Sequence, residues 1–138
     1  MPALNQIDNS DALRIVIIGG EAAGMSAAAK ARRLAKNATI IVFEQSDVIS
    51  FGACGLPYYV GDFFSDSKEM SEFTPEQFAA RGVDVRIQHQ VMSIDTVKQV
   101  VYAQNQSTGE QIEQPYDQLM IATGAVPVIP PISGLSQS

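Results

Sequence analysis

Two apolar runs near the start of the chain enclose an alanine-rich stretch. The first run, residues 13–18 (LRIVII), ends at a pair of glycines, and the second, residues 39–43 (TIIVF), ends at a glutamate. Neither run alternates with polar residues, which is typical of parallel strands that helices cover on both faces. Residues 22–36 (AAGMSAAAKARRLAK) favour a helix, and Asn37 is placed to end it in a left-handed cap. The pattern predicts one βαβ unit.

The rest of the chain has shorter and more alternating segments. Residues 74–77 (TPEQ) have the form of a capping box with proline at the first helical position, which predicts a short helix to about Ala80. The remaining segments predict strands. They are single strands at residues 83–87 and 116–122, and a small antiparallel meander at residues 92–94, 99–103 and 111–113. The fold class predicted is α/β, a parallel sheet with a small antiparallel β-meander.

The turn after the first apolar run has the spacing of a dinucleotide-binding motif. Gly19 and Gly24 stand at the first and last glycine positions of G-x-G-x-x-G, and Glu21 replaces the middle glycine. Two glycines of three are a weak signal. Glu44 strengthens it, because it lies twenty residues after Gly24 at the end of the second strand, where an acidic side chain binds ribose hydroxyls. The alternative is a plain βαβ turn with an incidental glutamate. The combination favours a Rossmann-like fold whose helix amides hold a diphosphate.

Composition and charge exclude several kinds of partner. The chain has 138 residues and a mass of 14.8 kDa, enough for one domain but short for most two-substrate enzymes. A net charge of -6 disfavours nucleic acid and anionic membranes. One cysteine and one histidine form neither a disulfide framework nor a closed zinc site. There is no apolar run of about 18 residues and no signal peptide, so we expect a cytoplasmic protein.

The single cysteine lies in an unusual segment, residues 50–59 (SFGACGLPYY). Gly52 and Gly55 flank Cys54 and permit the close approach of a flat ligand. We expect a helix that begins near Cys54, whose free amides would stabilise a thiolate. A small buried hydrophobe is the usual alternative for a free cysteine. The flanking glycines favour the reactive thiol.

Four segments of the chain together resemble one protein family. They are GGEAAGMSAA, VFEQSDVI, SFGACGLPYY and YDQLMIATGAVPVIPP, and the resemblance as a whole covers residues 13–134. They resemble the single-cysteine branch of the FAD-dependent pyridine nucleotide-disulfide oxidoreductases, which includes coenzyme A (CoA)-disulfide reductase, persulfide reductase, NADH oxidase and NADH peroxidase. Residues 1–12 (MPALNQIDNSDA) are polar and aperiodic, which predicts a flexible leader. The resemblance implies that residues 13–138 are the N-terminal part of an FAD-binding domain. The NAD-binding and dimerisation domains are then absent, and the intact enzyme is a homodimer that uses NAD(P)H as co-substrate.

The resemblance also implies roles for individual residues. Cys54 becomes the redox-active residue beside the flavin, and Tyr59 stands where the dithiol branch has a second cysteine. Cys54 therefore needs an external partner, as a mixed disulfide, a persulfide or a sulfenic acid. Ala22 replaces the histidine of the peroxidases, which argues against peroxidase chemistry. The implied FAD contacts are Gly19, Gly20, Glu21, Ala22, Ala23, Gly24, Glu44, Val91, Ala122, Thr123 and Gly124, and the implied contacts to a CoA-type disulfide are Ser26, Lys30, Arg33 and Ser50.

The substrate remains open at this level. Lys30 and Arg33 fit a solvated helix face as well as a CoA contact. Ala53 stands where the family usually has asparagine, so the hold on the substrate sulfur differs. A CoA disulfide is the preferred substrate, with a persulfide, oxygen reduction by an NADH oxidase, or a non-catalytic FAD-binding redox module as alternatives. His89 is expected to be a strand-end surface residue and not a base.

Overall fold

The computed structural model describes residues 12–63, 65–126, 128 and 130–132. The predicted leader therefore lies almost entirely outside the described residues. The helices are α1 (Ala22–Leu34), α2 (Leu56–Val60) and α3 (Pro75–Ala79), with 3-10 turns at Ala53–Gly55 and Ser67–Met70. The strands are β1 (Arg14–Ile18), β2 (Thr39–Phe43), β3 (Asp84–Arg86), β4 (His89–Asp95), β5 (Val100–Asn105), β6 (Gln111–Pro115) and β7 (Gln118–Ile121).

Four strands form a parallel sheet in the order β3-β2-β1-β7. The β1 strand lies between β2 and β7, with Ile17 opposite Val42 on one side and Met120 on the other. Val16 and Ile17 are both buried although their side chains lie on opposite faces of the sheet. This burial on two faces explains why the apolar runs do not alternate, and it confirms the predicted parallel sheet.

Different elements cover the two faces of the parallel sheet. On one face, Met25 and Ala28 of α1 and Phe78 of α3 pack with the sheet residues Ile17 and Val42. On the other face, the three-stranded antiparallel sheet β4-β5-β6 contributes buried residues to a second apolar cluster. That cluster contains Val16, Ile18, Ile41, Phe43, Val101, Ala103 and Tyr116. The predicted α/β fold with a separate antiparallel meander is therefore confirmed.

The C-terminal end of α1 differs from the prediction. The helix stops at Leu34, and Asn37 does not adopt the left-handed conformation, so the predicted Asn37 cap is wrong. The guanidinium group of Arg32 instead donates hydrogen bonds to the carbonyl oxygens of Lys36 at 2.8 Å, Ala38 at 2.7 Å and Gly82 at 2.6 Å. The Arg32 side chain thus ties the end of α1 to the loop that follows it and to the distant turn at Gly82.

The predicted capping box is present at the start of α3. The Thr74 hydroxyl accepts a hydrogen bond from the Gln77 backbone N–H at 3.4 Å, and the Gln77 side-chain oxygen accepts one from the Thr74 N–H at 2.9 Å. The helix ends at Ala79, with Ala80 as its C-cap. This short helix brings the buried Phe78 onto the sheet.

An ion pair fastens the start of β7 to the start of β1. The Asp117 carboxylate accepts hydrogen bonds from Arg14 Nε at 3.0 Å, Arg14 Nη2 at 2.7 Å and the Arg14 backbone N–H at 2.7 Å. These bonds lower the pKa of Asp117 to about 2. Its carboxylate therefore stabilises the fold fully above the unfolded-state pKa of about 3.9, and this contribution is lost as the pH falls towards 2.

We expect Asp117→Asn to lower the free energy of unfolding at neutral pH, and the difference from the native chain to shrink between about pH 5 and pH 2. The measurement is urea denaturation followed by circular dichroism across this range. Asp47→Asn, at an exposed position, is the control and should show no such pattern. A difference between Asp117→Asn and the native chain that stays the same at every pH would refute the explanation.

Candidate cofactor and thiol site

The glycine turn between β1 and α1 brings three backbone segments into direct contact. Gly19 has φ of +107°, and its N–H donates to the Phe43 carbonyl oxygen at 2.8 Å. A Cβ on Gly19 would collide with the carbonyl oxygen of Ala122, and a Cβ on Gly24 would collide with the carbonyl oxygen of Gly19. Both positions therefore require glycine, the first for its dihedral angle and both for close packing.

The first turn of α1 presents backbone amides beside the glycine turn. The first intrahelical bond runs from the Met25 N–H to the Glu21 carbonyl oxygen at 2.9 Å. The amides of Ala22, Ala23 and Gly24 precede it and have no intrahelical acceptor. A helix start of this kind, with its dipole, favours an anionic group such as a diphosphate.

Glu44 follows β2 and is buried, with 7% of its surface exposed. Its carboxylate accepts hydrogen bonds from the Gly20 N–H at 2.6 Å and the Ser46 N–H at 2.7 Å, one to each oxygen. These bonds fix the carboxylate at the carboxyl end of the strand. Each carboxylate oxygen keeps a second lone pair for a further donor, such as a ribose hydroxyl.

A cavity of about 350 Å³ opens at the carboxyl ends of β1, β2 and β7, and we call it the strand-end cavity. Ligands of open α/β sheets bind at such strand ends. Predicted cofactor contacts that line it are Gly19, Glu21, Glu44, Val91, Ala122, Thr123 and Gly124. Gly20, Ala22, Ala23 and Gly24 are not part of its lining. Gly20 and Gly24 are buried beneath the turn, whereas Ala22 and Ala23 are exposed.

His89 lies at a strand end, as predicted, because it is the first residue of β4. It is half-buried and lines the strand-end cavity, so the expected surface position is wrong. Its Nδ1 lies 2.6 Å from the Ile87 carbonyl oxygen, which requires a proton on Nδ1. Its Nε2 then accepts from the Asn105 side-chain amide at 3.4 Å. The meander packs back onto the sheet and carries His89 into the site, which local sequence reasoning missed.

Cys54 lies in the 3-10 turn Ala53–Gly55, and it is exposed. The alternative of a small buried hydrophobe is thereby excluded. The expected helix begins at Leu56, after the cysteine, so Cys54 belongs to the 3-10 turn that precedes α2 rather than to the first turn of α2. Tyr58 and Tyr59 on α2 are exposed as well.

Hydrogen bonds tie the segment before Cys54 to the glycine turn. The Ser50 N–H donates to the Gly20 carbonyl oxygen at 2.9 Å, and the Phe51 N–H donates to the Glu21 carboxylate at 3.0 Å. The Gly52 N–H donates to a third segment, through the Met70 carbonyl oxygen, at 2.8 Å. We call residues 50–55 the cysteine loop. The loop therefore occupies a defined position next to the start of α1.

A second cavity of about 380 Å³ lies beside the cysteine loop, and we call it the helix-side cavity. Three of the four predicted CoA contacts, Ser26, Arg33 and Ser50, line it, and Lys30 does not. Arg81, which no sequence motif indicated, lines the same cavity. Its guanidinium carbon lies 5.1 Å from the centre of the Phe73 ring, a cation–π distance. The remaining lining residues are Ala22, Met25, Ala29, Phe51, Gly52, Glu72, Phe73 and Phe78.

Comparison with known proteins identifies the family. A family model described as pyridine nucleotide-disulphide oxidoreductase matches residues 13–138. The chain belongs to the pyridine nucleotide-disulphide oxidoreductase family. FAD is the cofactor of this family, so the resemblance drawn from the sequence motifs is confirmed at the level of family, fold and cofactor class.

Relatives of this chain are described as reductases of sulfur compounds or as a water-forming oxidase. Coenzyme A disulfide reductase of Staphylococcus aureus (strain Mu3) is 39% identical over 113 residues, which are 81% of this chain and 26% of the reductase. A NAD-dependent persulfide reductase from A. fulgidus has a TM-score of 0.85 and 37% identity, covering 90% of this chain and 23% of that chain. The water-forming NADH oxidase from Lactobacillus brevis, bound to NADH, has a TM-score of 0.84 and 28% identity, covering 91% of this chain and 28% of that chain. This chain thus spans about a quarter of the length of these relatives.

The described part of the chain has neither a membrane-spanning helix nor a metal cluster. Among residues 12–63, 65–126, 128 and 130–132, no helix has both the length and the apolar character needed to cross a membrane. Within the same ranges, no three His, Cys, Asp or Glu side chains are grouped so that they could hold a metal ion.

Proposed function

We propose that this chain is the FAD-binding portion of an NAD(P)H-dependent oxidoreductase that reduces a CoA-type disulfide through Cys54. One observation carries the proposal: hydrogen bonds from Ser50 and Phe51 hold the cysteine loop against the glycine turn that borders the strand-end cavity. The loop that carries the exposed thiol is therefore hydrogen-bonded to the glycine turn of the proposed nucleotide site. In the intact enzyme we expect a homodimer, as the family resemblance implies.

The residues around the strand-end cavity fit FAD. Gly19 lines the cavity at the turn, and the fixed Glu44 carboxylate has lone pairs for the hydroxyls of a ribose. In this proposal Val91 lies beside the adenine, and the first-turn amides of α1 face the diphosphate. Residues 122–124 border the path towards the flavin. FAD, when bound, accepts a hydride from NAD(P)H and supplies two electrons to sulfur.

The thiol chemistry belongs to Cys54 itself. The Cys54 thiolate attacks one sulfur of the substrate disulfide, a new S–S bond forms between Cys54 and one CoA, and the second CoA leaves as a thiolate. Exposure of Cys54 on its 3-10 turn gives the substrate access. Two electrons and a proton then release the first CoA as a thiol and restore the Cys54 thiolate.

The helix-side cavity supports a CoA-type substrate over a small neutral one. CoA carries phosphate groups, and Arg33 and Arg81 place two guanidinium groups around this cavity. Ser26 and Ser50 add hydroxyl groups that donate or accept hydrogen bonds. Glu72 also lines the cavity, so the charge there is mixed. Lys30 lies outside the lining, and we assign it no contact.

Persulfide reduction and oxygen reduction are the competing functions, because relatives with these activities share the fold. Oxygen, and a persulfide of a thiol without phosphates, need no binding site for the phosphates of CoA. The two guanidinium groups in the helix-side cavity therefore favour the CoA disulfide.

We expect Arg33→Gln to slow the reaction of Cys54 with CoA disulfide about tenfold, since a charge-assisted bond to phosphate is lost. The reaction with hydroxyethyl disulfide, which is small and neutral, should change less than twofold. Mass spectrometry of the chain over time measures both rates at its single cysteine. Arg81→Gln should behave like Arg33→Gln.

Lys36→Gln is the matched control, because it removes one positive charge near the end of α1 without lining the cavity. It should leave both rates unchanged. If Arg33→Gln slowed both disulfides equally, or neither, the helix-side cavity would not be a CoA site. The persulfide and oxygen functions would then be preferred.

A further inference from the structure

Glu21 occupies the position where the dinucleotide-binding motif ordinarily has its middle glycine. It is the N-cap residue of α1, and its side chain makes no capping hydrogen bond. The carboxylate instead accepts a hydrogen bond from the Phe51 N–H at 3.0 Å, across thirty residues of sequence. The side chain at this position is thus used to hold another part of the chain.

The bond from Phe51 completes a series of three consecutive amides in the cysteine loop. Ser50 and Gly52, on either side, donate to the backbone carbonyl oxygens of Gly20 and Met70. Ser50 has φ of +52°, which is unusual for a residue other than glycine and requires support from its surroundings. The Glu21 carboxylate is the side-chain member of this support, and its donor Phe51 lies three residues before Cys54 along the loop.

The negative charge of Glu21 lies in an electrostatically unfavourable environment. Glu21 lines the strand-end cavity together with Glu44. Burial raises the pKa of Glu21, the hydrogen bond from Phe51 lowers it, and the negative charge of Glu44 raises it. The same turn is where the proposed FAD places its diphosphate, which is also negative. The hydrogen bond therefore favours an acceptor at this position, whereas electrostatics disfavours an anion.

We propose that Glu21 is a positioning residue: its side-chain oxygen holds the cysteine loop through the Phe51 N–H, and its negative charge weakens the binding of a diphosphate at the glycine turn. The first part stands on the geometry of this chain alone. The second part rests on the proposed FAD site. The hydrogen bond to Phe51 needs an oxygen acceptor at position 21, whereas diphosphate binding is stronger without a negative charge there. Substitutions that remove the charge alone, or the charge and the acceptor together, therefore distinguish the two parts.

The test compares Glu21→Gln with Glu21→Ala in the full 138-residue chain. Glutamine keeps an oxygen acceptor and removes the charge, whereas alanine removes both. Hydrogen exchange of the Phe51 amide, measured by NMR, should remain as slow in Glu21→Gln as in the native chain. In Glu21→Ala it should become about fivefold faster, as expected for the loss of one hydrogen bond. Glu113→Gln, an exposed position on β6, is the control for both readouts.

FAD binding, measured by fluorescence titration at low salt, tests the charge. Glu21→Gln should bind FAD about fivefold more tightly than the native chain. Unchanged Phe51 exchange in Glu21→Ala overturns the positioning role. Unchanged FAD affinity in Glu21→Gln, with FAD bound by the native chain, overturns the role of the charge. Failure of every variant and of the native chain to bind FAD overturns the proposed function instead, and leaves the positioning role to be decided by Phe51 exchange.

Discussion

Cys54→Ser will abolish the reaction of the chain with CoA disulfide and leave FAD binding within twofold of the native value. Serine differs from cysteine by one atom, but its hydroxyl does not ionise at neutral pH and does not exchange with disulfides. Cys54 is exposed on the 3-10 turn Ala53–Gly55, so the exchange of sulfur for oxygen disturbs no buried packing. The effect should therefore be confined to the chemistry.

Two measurements distinguish loss of the thiol from a change in the folded structure. Mass spectrometry after incubation with CoA disulfide should show a CoA adduct on the native chain and none on Cys54→Ser. Fluorescence titration with FAD should give similar affinities for both. Ala80→Ser is the matched control, because it introduces the same hydroxyl at an exposed position outside both cavities and keeps the thiol. It should form the adduct at a similar rate.

Either of two results would contradict this interpretation. A native chain that binds FAD but forms no adduct with CoA disulfide would exclude Cys54 as a nucleophile towards this substrate. Loss of FAD binding in Cys54→Ser would show that the cysteine has a structural role.

The second large effect is expected from Gly24→Ala, which should abolish FAD binding and destabilise the fold by about 3 kcal/mol. Alanine normally stabilises a helix relative to glycine by about 1 kcal/mol, so intrinsic propensity predicts the opposite sign. The alanine Cβ makes the substitution destabilising instead, because it would occupy the space of the Gly19 carbonyl oxygen. The start of α1 must then move away from β1, and the turn that borders the strand-end cavity moves with it.

Gly109→Ala provides the control for this substitution. Gly109 lies in the turn between β5 and β6 with φ of +76°, and a Cβ there would meet no atom closer than 4.0 Å. The cost should be about 1 kcal/mol for the left-handed backbone, with FAD binding unchanged. Urea denaturation and FAD titration measure both effects. If Gly24→Ala bound FAD like Gly109→Ala, close packing at the glycine turn would not be needed for the cofactor.

The sequence was informative where structure depends on neighbouring residues. The non-alternating apolar runs specified β1 and β2, since a strand buried on both faces has no polar side. The capping box needs only Thr74 and Gln77, which lie within one helical turn, and it formed as predicted. The glycine spacing and Glu44 together indicated a nucleotide site, because both follow strands whose ends meet at one edge of the sheet.

Predictions failed where a distant segment supplies the partner. The end of α1 was expected at Asn37, but Arg32 reaches across fifty residues to the Gly82 carbonyl oxygen. His89 was expected at the surface, but the meander folds over the sheet and brings it to the strand-end cavity. Arg81 has no local motif, and the turn that follows α3 places it at the helix-side cavity, which Arg33 also lines.

The sequence by itself determined the βαβ unit, the meander and the family. It also indicated which residues could bind a cofactor or react with a substrate. The tertiary structure decided how they are grouped. It gave the Glu44 carboxylate its partners Gly20 and Ser46, joined Glu21 to Phe51, and left Lys30 outside the cavity that Arg33 lines. The physical reason is range: propensities and caps act within a few residues, whereas hydrogen bonds between loops and the shape of a cavity exist only after the whole sheet has assembled.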